Sequence, residues 1–279
     1  MISTLNTREG LYSLCQQALE KCKPYPAEVL VVSNHNALTR FANNTIHQNV
    51  SEDGAMLNLR IMVGSRIGGA STNRTDSAGL SELAERARQN AQTGPADPLF
   101  PGFLEAATYP ALDAFDPSTA ELSPRQRAEQ VRIACSLAAE EDLNAFGALS
   151  NGASHLAIAN TFGIFACHAS THAEFQTVVM GSDSSGHARA CAWRSADLPV
   201  AALAREAIYK TKLGRNPREI PPGEYPVILD PYAVQDILAM LNTHGMGAQT
   251  IQEGRSWMNG HLGEQIMDSR IHIWDDGLD

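Results

Sequence analysis

A switch of hydrophobic period, made twice, constrains the fold more than any other feature of this chain. Residues 7–21 carry Leu11, Leu14, Cys15 and Ala18 at three- and four-residue spacing, which predicts a helix. From Glu28 to Thr72 the period falls to two. EVLVVSNH and TRFANNTIHQNV read as strands with a turn at Asn43-Asn44. SEDGAMLNLRIMVGSRIGGAST reads as a hairpin opened by Asp53-Gly54 and tipped by Gly64-Ser65. A helix is then predicted over 78–92, capped by Asp76 or Ser77, with Leu80, Leu83, Ala84, Ala87 and Ala91 on its buried stripe. Gly64, Gly68 and Gly69 match neither a dinucleotide fingerprint nor a P-loop, so they read as turn and strand glycines.

The same switch recurs after a connector with six prolines between residues 93 and 124. Ser123-Pro124 with Gln126 has the residues of a capping box and starts a helix that runs to about Glu140. NAFGALSNGASHLAIANTFG then reads as a hairpin turning at Asn151-Gly152, and a second hairpin turns around Gly181-Ser182. Asp197 and Pro199 are placed to start another helix, which Gly214 ends. Past a proline-rich boundary come a short strand, Tyr225 to Leu229, and a helix capped by Asp230 with Pro231 at its first position. These readings give an α+β protein of antiparallel sheets with packed helices. Its expected parts are an α+β subdomain over 1–110, a helix–hairpins–helix segment over 111–216, and a further domain beginning over 221–279.

A net charge of −10 argues against a nucleic-acid backbone as the main partner, which would need a basic face. No apolar run approaches the length of a membrane span, and the start lacks the pattern of a signal peptide, so a cytoplasmic protein is expected. The cysteines at 15, 22, 135, 167 and 191 are scattered, with no CxxC pair, and read as reduced thiols that are mostly buried.

Two histidine features bear on chemistry. His168, His172 and Glu174 have the residue types of a metal site, but Phe, Thr and Val alternate around them. On a strand His168 and His172 stand about 13 Å apart, whereas a helix would bring them to about 6 Å. They are therefore expected to line one sheet face, solvated or facing a cavity. His244 lies near the end of the predicted helix in ILAMLNTHGMGA. Met240, Ile237 and Leu241 precede it on its face, and neither a second histidine nor an adjacent glutamate accompanies it. Gly245 follows as a stop glycine would, and a histidine in a last turn suits the helix dipole. No Gly-x-Ser-x-Gly elbow supports a serine hydrolase.

Three stretches together carry a family resemblance. They are TRFANNTIHQNVSEDGAMLNLRIMVGSRIGGASTNRTD, IANTFGIFACHASTH, and PPGEYPVILDPYAVQDILAMLN with EGRSWMNGHLGEQIMDSRIHIWDDG. In order and spacing, over nearly the whole chain, they resemble the TldD/PmbA family, also called modulators of DNA gyrase. The resemblance implies an α+β N-terminal region, a β-rich C-terminal domain, dimers and metallopeptidase activity. In the catalytic TldD branch a helix bears H-E-x-x-x-H, and a cysteine of the C-terminal domain completes a zinc site. Aligned on Gly254-Arg255-Ser256 and on Gly260 to Glu264, that motif falls on Ala239, Met240 and His244. The first histidine and the glutamate are absent, so the sequence is closer to the non-catalytic PmbA/TldE branch.

The resemblance therefore implies a subunit with no cofactor of its own, partnered by a zinc-bearing TldD-like peptidase or by a second copy, and acting on unfolded or precursor peptides. The chain also stops at Asp279, short of the usual C-terminal β domain, as a natural short form, a split protein or a fragment would. Two alternatives stand beside this reading. One is an active metallopeptidase with an atypical site using His244, with His261 or Glu264. The other is a stand-alone peptide-binding regulatory module.

Overall fold

The computed structural model describes residues 5–276. The chain start read for a signal peptide, the last glycine of the D-D-G segment (Gly277) and the chain end lie outside them. The described residues form two compact units, divided between Pro217 and Arg218.

In the first unit one element pattern occurs twice. It opens with α1 (Arg8–Glu20), the meander β1 (Ala27–Ala42), β2 (Thr45–Val63) and β3 (Arg66–Thr72), and α2 (Ser77–Thr93). A connector and the short α3 (Pro117–Ala120) lead to α4 (Pro124–Ala139), a second meander of β4 (Asn144–Asn160), β5 (Phe165–Met180) and β6 (Ser185–Ala192), and α5 (Val200–Leu213). The two meanders pair through their first strands into one antiparallel sheet, ordered β3-β2-β1-β4-β5-β6. This is the α+β architecture, an antiparallel sheet with helices packed on it.

The strands are longer than their sequence suggests. Asp53-Gly54 does not open a hairpin: β2 runs straight through, with Asp53 opposite His35 and Gly54 opposite Asn34. Asn151-Gly152 is likewise no turn, because β4 continues from Asn144 to Asn160 and reverses at residues 161–164. Both dipeptides have turn composition, but each lies mid-strand: Asp53-Gly54 is paired with β1 alone, since the β3 ladder starts at Leu57, and Asn151-Gly152 is paired with both β1 and β5. Burial overrides the local preference at Asn151, whose side chain is fully buried and hydrogen-bonded.

Odd-numbered residues of β1, β4 and β5 point to the helices and form two separate cores. α1 and α2 bury Leu11, Leu14, Leu80 and Leu83 against Val29, Val31, Leu57 and Leu59. α4 and α5 bury Val131, Leu203 and Ala207 against Phe41, Leu149 and Phe175. The capping box at Ser123 and Gln126 is present. Asp76 caps α2 by accepting from the Gly79 amide at 2.9 Å. Asp197 does not cap α5. It sits in a 3-10 turn, and Pro199 occupies the cap position without a side-chain bond. Gly214 ends that helix in a right-handed conformation.

Between the two cores, Arg127 of α4 is almost fully buried with no carboxylate beside it. Its guanidinium donates to Thr39 Oγ1 (3.0 Å), Leu122 O (2.6 Å) and Asn151 Oδ1 (2.8 Å). It ties β1, β4 and the α3–α4 loop together through neutral acceptors. His155 lies on the same sheet face, its ring 5.5 Å from that of Phe115, and burial lowers its pKa.

The second unit holds α6 (Pro231–Leu241), a π-helical turn over Asn242–Met246, and α7 (Ala248–Gln252). Asp230 caps α6 through the Ala233 amide at 3.1 Å. The strand expected over Tyr225–Leu229 does not form. Those residues are exposed, irregular and outside any ladder among the described residues. No described helix is long and apolar enough to cross a membrane.

Candidate functional site

The sheet of the first unit has a second face, which α1, α2, α4 and α5 leave open. His168, His172 and Glu174 all stand on it, at alternate positions of β5, with Leu156, Gly152 and Ser150 as their neighbours on β4. The spacing along β5 keeps His168 and His172 about 13 Å apart. His172 is exposed, and His168 and Glu174 are half-buried.

His172 has a local setting that the sequence did not signal. A Cβ built on Gly152 would lie 2.5 Å from His172 Cε1 and 2.7 Å from Asn36 Oδ1. The imidazole and the Asn36 amide thus close over the Gly152 backbone from either side. The missing side chain lets a donor and an acceptor sit low on the sheet. Around this polar spot the same face carries Leu30, Val32, Leu38, Met56, Leu156 and Ile158, all half-buried or exposed. Such a face presents apolar ground with a few fixed polar groups, which suits an extended peptide better than a compact ion.

The second candidate is a groove of about 960 Å³ within the second unit. Its wall is apolar and rich in sulfur and indole: Leu238, Met246, Trp257, Met258, Met267 and Trp274. Methionine-lined surfaces adapt to varied side chains. Ala239 and Asn242 reach this groove from α6 and the π-helical turn, whereas His244 is exposed and outside its lining.

The turn is held from behind by the Gly254-Arg255-Ser256 loop. Ser256 Oγ donates to Gly245 O at 2.5 Å and accepts from the Met258 amide at 2.9 Å. Gly245 is pressed against Trp257, where an added Cβ would fall 1.9 Å from the indole nitrogen. Gly245 therefore serves contact with an indole and does not stop the helix: it lies within the π-helical turn, which runs to Met246 and is capped by Gly247. His261 Nδ1 pairs with Glu264 Oε2 at 2.8 Å, both exposed.

The donor set around α6 does not fit a zinc ion. Ala239 offers a methyl group, Met240 a thioether, and His244 one imidazole, exposed and outside the lining of the groove. Among the described residues, no three His, Cys, Asp or Glu side chains converge.

The fold and these sites define a class: a two-unit α+β protein whose second unit carries a helix ending in a π-helical turn beside an apolar groove. Comparison with known proteins narrows the class to a family. The family model for PmbA/TldA metallopeptidase domain 1 matches residues 27–91, and that for the PmbA/TldA metallopeptidase C-terminal domain matches residues 222–279. This chain belongs to the PmbA/TldD metallopeptidase family.

Solved structures with the same fold include a modulator of a DNA gyrase from Thermotoga maritima, with a TM-score of 0.78 at 18% identity, covering 91% of this chain and 60% of that one. TldE from Thermococcus kodakarensis gives 0.71 at 16% identity, covering 90% and 58%. A modulator of DNA gyrase from Bacteroides thetaiotaomicron gives 0.76 at 19% identity, covering 93% and 62%. The chain thus spans about three-fifths of the length of these relatives. No curated protein matches it.

Proposed function

We propose that this chain is a PmbA/TldE-like, non-catalytic subunit of a TldD-type zinc metallopeptidase complex that cleaves unfolded or precursor peptides. One observation carries the reading. The helix that resembles the zinc helix has Ala239 and Met240 in place of a ligand and a general base, and Ala239 opens onto an apolar groove. Water activation by a metal needs several donors and an open coordination position. α6 offers none of that, so zinc and hydrolysis fall to the partner. This chain supplies surface: the open sheet face around His172, His168 and Glu174, and the methionine- and tryptophan-lined groove. Five free thiols suit a reducing cytosol.

The test is co-expression with a TldD-type chain carrying H-E-x-x-x-H, followed by metal analysis and cleavage of an unfolded reporter peptide. The expected result is a stable complex in which zinc follows the partner and cleavage exceeds that of the partner alone. Stoichiometric zinc in this chain alone, lost on His244→Ala, would overturn the reading in favour of an atypical active site. A chain that binds peptide yet neither joins the partner nor alters cleavage would favour a stand-alone peptide-binding module.

A further inference from the structure

One core cluster holds Cys15, in the middle of α1, and has Cys167 of β5 packed against it, and neither cysteine belongs to the sites above. Cys167 is an inward residue of β5, only half-buried, and packs against the core cluster that holds the fully buried Cys15 of α1. Arg8, the first residue of α1, donates from Nη1 to Cys167 Sγ at 3.1 Å. That guanidinium is fixed in place: it lies 5.0 Å from the Phe165 ring centre, and Phe165 in turn meets Tyr12 edge-on at 4.9 Å. Cys191 is the internal contrast. It is the more exposed thiol, but it stands directly opposite Glu174 on the β5–β6 ladder.

We propose that Cys167 is a peroxide-oxidation site and that Cys15 is the thiol that closes on it. The sulfur of Cys167, as thiolate, attacks one oxygen of hydrogen peroxide. The O–O bond breaks, and the other oxygen leaves as hydroxide beside the Arg8 N–H donors and takes up the proton that the Cys167 thiol gave to solvent, forming the first water. Cys167 is left as a sulfenic acid. The Cys15 sulfur then forms the S–S bond, and its proton leaves with the sulfenic hydroxyl as water. Each disulfide consumes one peroxide and releases two waters in all.

The surroundings order these steps. Burial, and the nearby Cys167 sulfur, push the Cys15 thiol up to about 12, so Cys15 stays protonated and inert until Cys167 is oxidised. The disulfide would staple the middle of α1 to β5.

The experiment uses the whole chain, treated with limiting hydrogen peroxide and digested without reduction for mass spectrometry. In a parallel time course Ellman's reagent, a dianion, is followed residue by residue. The expected result is a Cys15–Cys167 cross-linked peptide, with Cys167 reacting before the more exposed Cys191. Arg8→Gln should slow Cys167 by about tenfold, because positive charge beside the sulfur favours its attack, and leave Cys191 unchanged. In Cys15→Ala, Cys167 should stop at a sulfenic acid that dimedone traps. Modification of Cys191 first, with no effect of Arg8→Gln, would overturn the proposal. A Cys167 sulfenic acid that accumulates while Cys15 is intact would overturn the pairing.

Discussion

Gly68 and Gly186 occupy the same place in the two repeats, and removing either glycine should do the same damage. Each lies on the last strand of its meander, where the helix that follows comes down onto the backbone. A Cβ on Gly68 would sit 2.1 Å from Ala91 N and 2.2 Å from Ala87 O of α2. A Cβ on Gly186 would sit 2.0 Å from Ala207 O and 2.7 Å from Thr211 N of α5. Ordinary carbon contacts need about 3.5 Å, so each helix would have to retreat by roughly 1.5 Å. The atoms met are backbone, which has no rotamer in which to escape. Retreat would open the seam that buries Leu83 and Ala84 in one repeat and Leu203 and Ala204 in the other. Overpacking of this kind costs about 1–3 kcal/mol, and backbone contacts place it near the top of that range. In a unit of this size that is a fall in Tm of about 6–12 °C for Gly68→Ala and for Gly186→Ala, read by thermal melts under circular dichroism. Gly54→Ala is the control, because nothing lies within 4 Å of its added Cβ in the middle of β2. It should leave Tm within about 2 °C. If either test variant melts with the control, the close helix–strand approach is wrong.

Three further outcomes follow from the same geometry. Arg127→Ala should cost about 3 kcal/mol, measured by urea unfolding, since it leaves the buried Thr39 and Asn151 and the half-buried Leu122 carbonyl without their donor. An unchanged midpoint would refute that. His155 has its pKa lowered by burial, so the unfolded chain takes up this proton more readily than the folded one. Stability is therefore lost as pH falls below the unfolded value of about 6.5, and His155→Leu should flatten the melting curve between pH 6.5 and pH 5, at about those limits. Gly245→Ala should force Trp257 off the π-helical turn, shifting its emission to the red, while the melting of the first unit stays unchanged.

Much of this fold was legible because periodicity reports burial. The helices of both repeats and the capping box at Ser123 follow from spacing and cap chemistry, which act over a few residues. The errors share one cause. Asp53-Gly54 and Asn151-Gly152 have turn composition, yet each sits within a long strand, the first paired to β1 and the second to both β1 and β5, where neighbouring strands decide the backbone. The opposite error occurred at Tyr225–Leu229, an apolar run that joins no ladder among the described residues. The repeat itself was half-visible as two switches of period. Its proof, Gly68 and Gly186 seating equivalent helices, appears only when strand and helix are placed together. Among candidate site residues, the common face of His168, His172 and Glu174 followed from alternation. The Asn36 and Gly152 neighbours of His172 did not, since they come from two other strands.

The second unit shows how a motif register and a side-chain direction can part. H-E-x-x-x-H places two histidines five residues apart. On a regular α-helix that spacing separates them by about 140° around the axis, too far to share an ion. A turn hydrogen-bonded with an i→i+5 period reduces that angle, and such a turn covers Asn242–Met246, ending where Ser256 and Trp257 grip Gly245. The scaffold suited to the spacing is therefore present, but only in the last part of the helix. Ala239 still opens into the groove while His244 stays outside it. Restoring the missing residues should consequently fall short. The double variant Ala239→His with Met240→Glu should bind zinc at least about a hundredfold more weakly than a structural site, read by competition with a chromogenic chelator, because two imidazoles on diverging directions cannot close a tetrahedral shell. Stoichiometric, tight zinc in that double variant would show that the turn brings residues 239 and 244 together. The loss of chemistry at α6 would then reside in two side chains and not in the path of its backbone.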